Sequence, residues 1–242
     1  MDSFTERENP ARIASTGESP KGRTSQTIDF AGLPIVLLAS GAAFLPEFQT
    51  LIVSDLHLEK GSKAASRGWL APGLDSFDTL SRLRRAIEEM RPARVICLGD
   101  SFQDREAGAR MAEEDRLALD GLCGLVENWV WIAGNHDPDL PEFCDGERLD
   151  EIEIGALTLR HQPSQFRQRP EIAGHFHPKA SLSAGNYRFS GPCFCVFDSL
   201  LIMPAFGAYT GGLSCSDPAI RGLNNAPPLL FMLQAGKIWR VA

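Results

Sequence analysis

The residues of this chain that could do chemistry stand in five places: Asp55-Leu56-His57, Gly99-Asp100, Gly134-Asn135-His136-Asp137, a separate His161, and Gly174-His175-Phe176-His177. Together these hold all five of its histidines. Carboxylate, amide and imidazole donors without cysteine suit hard or borderline ions such as Mn²⁺, Fe, Co²⁺ or Zn²⁺, rather than a closed structural zinc site. Seven donors, Asp55, His57, Asp100, Asn135, His161, His175 and His177, exceed what one ion takes. Two ions about 3.5 to 4 Å apart, sharing a carboxylate, form an arrangement suited to hydrolysis of a phosphate ester.

Such donors need a frame. Arg94-Val95-Ile96-Cys97-Leu98 is an apolar run closed by Gly99-Asp100, which reads as a buried parallel strand delivering one carboxylate at its carboxyl end. Leu51-Ile52-Val53-Ser54-Asp55 reads as a second strand. If it stays extended for two more residues, Asp55 and His57 point the same way, about 6.6 Å apart along the chain. Trp129-Val130-Trp131-Ile132-Ala133 is a third strand leading into Asn135. Between them, residues 75–91 place Phe77, Leu80, Leu83, Ile87 and Met90 at helical spacing, with Arg82, Arg84, Arg85 and Arg91 on a solvated side; residues 108–128 give a second helical pattern. Strand, helix, strand, helix, strand implies a parallel sheet with right-handed crossovers.

Residues 28–48 read as one or two edge strands. After Pro138 the pattern changes to short strands over 151–154, 157–161, 171–173, 187–189, 194–197, 200–203, 229–233 and 238–241. Gly155-Ala156 and Ala235-Gly236 look like hairpin turns, so a second, mostly antiparallel sheet is expected. Residues 1–27 are rich in Ser, Thr, Glu, Arg and Gly without periodicity and are expected to be a disordered extension, leaving 28–242 as a single domain.

At 242 residues and 43% hydrophobic, the chain is long enough for one full core. Its net charge of -7 argues against a broadly basic nucleic-acid surface, though bound divalent ions would leave a local positive focus. The six cysteines contain no CxxC pair and several sit in apolar runs, which suits a reducing cytoplasm. No secretory signal and no apolar run long enough to span a bilayer is expected, so no membrane partner is either.

Alone, each motif has an ordinary structural explanation; Gly-Asp, for instance, is a common turn dipeptide. Jointly and in this order, the five motifs resemble the calcineurin-like metallophosphoesterase superfamily over about residues 50–180. The resemblance implies an α/β fold, a four-layer αββα sandwich of mixed sheets with a dinuclear metal site at strand carboxyl ends. It implies that Asp55, His57, Asp100 and His177 hold one ion and that Asp100, Asn135, His161 and His175 hold the other, with Asp100 shared. His136 would then be a catalytic group rather than a ligand, meeting a phosphate or leaving-group oxygen.

The flanks Asp55-Leu56-His57-Leu58-Glu59-Lys60-Gly61-Ser62, Gly99-Asp100-Ser101-Phe102, His161-Gln162-Pro163 and Pro204-Ala205-Phe206-Gly207-Ala208-Tyr209-Thr210-Gly211-Gly212 resemble more closely the bacterial ligase-associated DNA damage response endonucleases. That resemblance implies a manganese-dependent phosphodiesterase cleaving DNA, single-stranded DNA foremost, in a repair pathway with a helicase, a ligase and an exonuclease. Gln103 departs from the pattern, standing where such relatives commonly carry histidine. Lys60, Arg67 and Arg167 are candidate phosphate contacts. Two other functions fit the same residues: a small-molecule or cyclic-nucleotide phosphodiesterase or phosphatase, and a non-catalytic repair scaffold.

Overall fold

The computed structural model describes residues 22–69, 73–184 and 187–241. Of the extension expected over 1–27, residues 1–21 lie outside that description. The boundary expected after Thr27 falls inside a strand, β1 (Ser25–Phe30), because Ser25 to Phe30 pair residue by residue with Leu38 back to Leu33.

The first half runs β1, β2 (Leu33–Leu38), β3 (Ala43–Leu45), a 3-10 turn (Pro46–Phe48), β4 (Thr50–Val53), α1 (Lys60–Ser66), α2 (Asp75–Met90), β5 (Arg94–Leu98), α3 (Ala107–Arg110), α4 (Glu113–Cys123), β6 (Asn128–Ile132) and β7 (Glu147–Leu149). These strands form one seven-stranded sheet in sequence order, antiparallel from β1 to β4 and parallel from β4 to β7.

The second half runs β8 (Glu151–Ile154), β9 (Leu157–Arg160), β10 (Glu171–Ala173), β11 (Lys179–Ala184), β12 (Tyr187–Val196), β13 (Leu200–Ile202), α5 (Pro218–Arg221), β14 (Leu229–Gln234) and β15 (Lys237–Val241). It builds an eight-stranded sheet in the order β15-β14-β12-β13-β10-β9-β8, with β11 on β12.

Alternation along the central strands explains the layers. Ile52, Ile96, Leu98, Val130 and Ile132 face the second sheet and meet Leu159, Ile172, Phe194 and Leu201 there. Their neighbours Leu51, Val53, Val95, Cys97, Trp129 and Trp131 face the helices, packing on Leu80 and Leu83 of α2 and Leu119 and Leu122 of α4. Successive strand residues point to opposite faces, so each run reads as continuously apolar when both faces are covered. The result is α/β, two mixed sheets with helices outside; over the second sheet the outer layer thins to the one-turn α5, whose Ile220 packs on Cys193, Cys195 and Met232.

Several expectations change. Residues 28–48 supply three strands, not one or two. The helical pattern over 108–128 is broken into α3 and α4 at Met111, whose φ of -63° and ψ of 130° are extended. Phe77 is 58% exposed, because the first turn of α2 buries Asp75, Ser76 and Thr79 instead. The second sheet is mixed, since β10 runs parallel to both β9 and β13. The runs expected over 187–189 and 194–197 are one strand, β12, which leaves its pairing with β11 at Pro192 and takes up β14 at Cys193, where a residue without an N–H does least harm.

Candidate dinuclear metal centre

The parallel strands β4, β5 and β6 end side by side, and the loops leaving them carry Asp55 and His57, Asp100, and Asn135 and His136. The second sheet contributes from across the core: His161 follows β9, and His175 and His177 follow β10. The loops are stitched by main-chain bonds, Asp55 N–H to Gly99 O (3.2 Å), His57 N–H to Asp100 O (2.9 Å) and Gly174 N–H to His161 O (2.9 Å).

The expected extended arm at Asp55 and His57 is not what forms. Ser54 to His57 lie beyond the strand, and Asp55 (φ 54°) and His57 (φ 45°) are left-handed. Asp100, His175 and His177 are too, so five of the eleven non-glycine residues with positive φ among the described residues are expected ligands. Such conformations cost on the order of 1–3 kcal/mol each and persist only where the surroundings over-determine them, typically at functional sites.

Two groups of donors converge. In the first, His177 Nε2 lies 3.1 Å from Asp55 Oδ1 and 3.2 Å from His57 Nε2. In the second, His161 Nε2 lies 3.0 Å from Asn135 Oδ1, 3.2 Å from His175 Nδ1 and 3.4 Å from Asp100 Oδ2. Within each group of histidines and carboxylates the donor atoms are all within 4.8 Å of one another. The outward oxygens are already occupied: Asp55 Oδ2 accepts from Ser54 Oγ–H (2.5 Å) and His175 N–H (3.0 Å), and Asp100 Oδ1 accepts from His136 N–H (2.8 Å). The inward oxygens, Asp55 Oδ1 and Asp100 Oδ2, therefore face the imidazole nitrogens of His177 and His161.

His161 decides what this crowd requires. Its Nδ1 stands 2.9 Å from the Leu98 carbonyl and must donate there, so a neutral ring would turn Nε2 as a lone pair on an amide oxygen, an imidazole nitrogen and a carboxylate, and either a proton or a metal ion has to stand between them. Burial would lower the His161 pKa, but the Asp100 hydrogen bond and the charges of Asp55 and Asp100 outweigh it and hold the ring at about 9. Burial likewise opposes the Asp100 charge, yet His161 and the His136 N–H bring that carboxyl down to about 2. Burial pushes the His57 ring down to about 3, keeping it neutral, and its Nδ1 is buried without a protein partner. Imidazoles at His57, His161, His175 and His177 and the carboxyl groups of Asp55 and Asp100, around a place that calls for positive charge, are the donor chemistry of divalent metals.

His136 is turned differently. Its Nδ1 donates to the Gln103 carbonyl (2.8 Å), leaving Nε2 directed away from that loop, and its ring stands edge-on to His57 with centroids 5.1 Å apart. The Gln103 side chain lies beside it, with Nε2 3.4 Å from His136 Nδ1. Asp137 is fully buried, accepts the Phe102 N–H at 2.9 Å, and is pushed up to about 6 by burial.

The candidate phosphate contacts divide. Lys60 opens α1 close enough to His57 to lower its pKa. Arg67 is exposed at the end of α1, with no contact to either donor group among the described residues. Arg167 is spent on the carbonyls of Ser164 (2.9 Å) and Leu223.

Sequence reasoning missed the supports. Arg82, expected on a solvated face, reaches the Phe206 carbonyl and lies 4.6 Å over the Phe206 ring. The segment it anchors rests on the loop that carries Asp55 and His57, through Phe206 N–H to Ser54 O (2.7 Å) and Gly207 N–H to Asp55 O (3.0 Å). Thr79 Oγ1 takes the Ala208 N–H (3.0 Å), and Ser76 Oγ links Glu59 N–H (2.9 Å) to Glu59 Oε1 (2.8 Å). Ser76 and Thr79 sit among the apolar positions of α2; hydroxyls on an otherwise apolar helical stripe were the available signal. A side chain at Gly212 would lie 2.0 Å from His177 O, so Gly212 serves close backbone approach, whereas a side chain at Gly211 would meet nothing within 4 Å.

Comparison with known proteins agrees with this geometry. The calcineurin-like phosphoesterase family model matches residues 48–194. The solved nuclease MPE of Pseudomonas putida is 30% identical, with a TM-score of 0.71, covering 90% of this chain and 100% of that one. YfcE, a phosphoesterase from E. coli, is 15% identical over 77% of this chain and 88% of that chain, with a TM-score of 0.36. The Aquifex aeolicus protein of unknown function AQ665 is 20% identical over 47% of this chain and 60% of that chain, with a TM-score of 0.34. Neither of the last two is close enough to carry an argument, and no curated protein sequence matches. On the family match and the nuclease likeness, the chain belongs to the calcineurin-like phosphoesterases and is a hydrolase acting on ester bonds.

Proposed function

We propose that this protein is a metal-dependent phosphodiesterase that cleaves DNA internally, in DNA repair, using two divalent ions of which Mn²⁺ is the first choice. The observation that carries the reading is the pair of converging donor groups, each built on one aspartate and two histidines. The nuclease activity named for the Pseudomonas putida protein supports a nucleic acid as the substrate. Asp55, His57 and His177 with Asp100 would hold one ion, and Asp100, Asn135, His161 and His175 the other. When bound, the ions supply Lewis-acid charge at the phosphate and acidify the attacking water.

The protein's own groups do the rest. Two carboxylates against two divalent ions leave a net positive focus in an acidic chain, which draws a phosphodiester. The left-handed loops preorganise the donors, so little reorganisation accompanies reaction. His136, held through Nδ1 by Gln103 O, presents Nε2 to a nonbridging or leaving oxygen and either stabilises its charge or delivers a proton. Lys60 at the head of α1 adds a cation beside the His57 side. The base of the centre is buried at Asp55, His57, Asp100 and His161, while Asn135 is exposed and His136, His175 and His177 are half-buried. A site open on that side can receive a polymer strand.

A cytoplasmic setting, and work beside a helicase, a ligase and an exonuclease, belong to the same proposal. Six free thiols suit that compartment, and no helix among the described residues is long and apolar enough to cross a membrane. The test is cleavage of circular DNA by purified protein with Mn²⁺, which a small-molecule phosphodiesterase or a scaffold would leave intact.

A further inference from the structure

A second group of reactive side chains lies outside the metal centre. Cys193 and Cys195, two residues apart on β12, share one face, and Cys215 comes up to them from the segment that follows residues 204–212. All three sulfurs lie within 4.8 Å of one another, in a pocket formed by Ala173, Phe197, Ile202, Ile220 and Met232. The Cys195 thiol donates to Cys215 Sγ at 3.2 Å, whereas the Cys193 thiol is directed to the Phe194 carbonyl. Cys215 is the most accessible of the three, at 7%, and Cys193 and Cys195 are at 0%.

We propose that Cys195 and Cys215 form a peroxide-oxidisable dithiol, a modification site that closes to a disulfide across the outer face of the second sheet. Two observations favour this over a thiolate metal site. Across a tetrahedral ion at about 2.3 Å, two sulfurs stand about 3.8 Å apart, wider than the 3.2 Å seen here. Moreover, among the described residues no imidazole or carboxylate joins the three sulfurs, and an apolar pocket accepts a neutral disulfide more readily than the three thiolates that a metal would hold there together. The hydrogen bond from the Cys195 thiol favours the thiolate at Cys215, the more accessible sulfur.

The chemistry balances. The Cys215 thiolate attacks one peroxide oxygen, the O–O bond breaks, and the departing hydroxide takes up a proton as water, leaving a sulfenic acid. The Cys195 sulfur then attacks the Cys215 sulfur, the S–O bond breaks, and a second water leaves with the thiol proton. Two thiols and one peroxide become one disulfide and two waters. Closure would pin the far end of the segment whose Phe206 and Gly207 N–H groups rest on Ser54 and Asp55.

The experiment uses the reduced full-length chain, titrated with hydrogen peroxide, quenched by alkylation, and read by intact mass and peptide mapping. The expected result is a loss of about 2 Da, two fewer alkylatable thiols of the six, a linked pair Cys195–Cys215, and reversal by dithiothreitol. In Cys195→Ser, oxidation should stop at a Cys215 sulfenic acid that dimedone traps; should that variant fail to fold, the wild-type map still decides. Six thiols still alkylatable after peroxide, or a link at Cys97, Cys123 or Cys144, would overturn the proposal. So would zinc held stoichiometrically by the reduced chain and lost in Cys215→Ser, since the group would then be a metal site.

Discussion

Gly134→Ala perturbs the centre without adding or removing any chemical group that could act there. A Cβ at Gly134 would lie 2.1 Å from Asp100 N and 2.3 Å from Asp100 Oδ1, against an ordinary contact of 3.4 Å or more. The Asp100 main chain must therefore move by about 1 Å, and it cannot do so alone, since Asp100 Oδ1 holds His136 N–H at 2.8 Å and Asp100 O holds His57 N–H at 2.9 Å. A misplacement of about 1 Å in a preorganised site costs on the order of 10²-fold in rate. The assay is turnover of a phosphodiester dye at saturating Mn²⁺, with metal content and a thermal melt alongside. Gly121→Ala in α4 is the control, since its Cβ would meet only Arg84 Nη2 at 3.9 Å; it should keep full activity and gain up to about 1 kcal/mol of stability. Wild-type turnover in Gly134→Ala would refute the claim that Asp100 is positioned by this close approach.

His136→Ala should retain both ions while turnover falls on the order of 10²- to 10⁴-fold; loss of metal, read by elemental analysis, would make His136 a ligand instead. Arg82→Ala removes a carbonyl partner and the packing over Phe206, so a destabilisation of about 1–3 kcal/mol is expected in chemical denaturation, with Arg82→Lys recovering only part because it lacks the planar stack. In metal-free protein the His161 ring, raised to about 9, contributes stability that is complete below its ordinary 6.5 and lost as pH rises through 9. Its size is at most about 3 kcal/mol. Melts against pH should show that decline with chelator and not with Mn²⁺, and calorimetry in two buffers should show proton release on metal uptake; a flat chelated profile would contradict it.

Much of the centre was legible because its donors end apolar runs. Leu98 before Gly99-Asp100 and Ile132 before Asn135 are buried on strands whose two faces are both covered, so the run and its polar end are visible in one dimension. The left-handed turns at Asp55 and His57 were not, because positive φ in a non-glycine residue is imposed by partners elsewhere in the chain, here Gly99 O, Asp100 O and the Gly207 N–H. Arg82 was misread for a related reason: its charge suits water, and only the arrival of residues 204–212 from the far end of the chain gives it a carbonyl and a ring to meet. Helix α1 carries no apolar period over its seven residues and is held instead by Asp75 Oδ2 on Gly61 N–H. The parallel placement of β10 between β9 and β13 depends on long-range pairing that a local pattern does not encode.

The central claim is that the two donor groups around Asp55 and Asp100 form a metal-dependent DNA endonuclease. Its most direct test is hydrolysis of circular single-stranded DNA by the purified protein with added Mn²⁺, beside an Asp100→Ala variant shown by its melt to be folded. Linearised and shortened circles with the wild type, and intact circles with Asp100→Ala or with chelator, are predicted. Intact circles with the wild type under conditions where a phosphodiester dye is turned over would contradict the DNA assignment, and cleavage that persists in Asp100→Ala would contradict the centre itself.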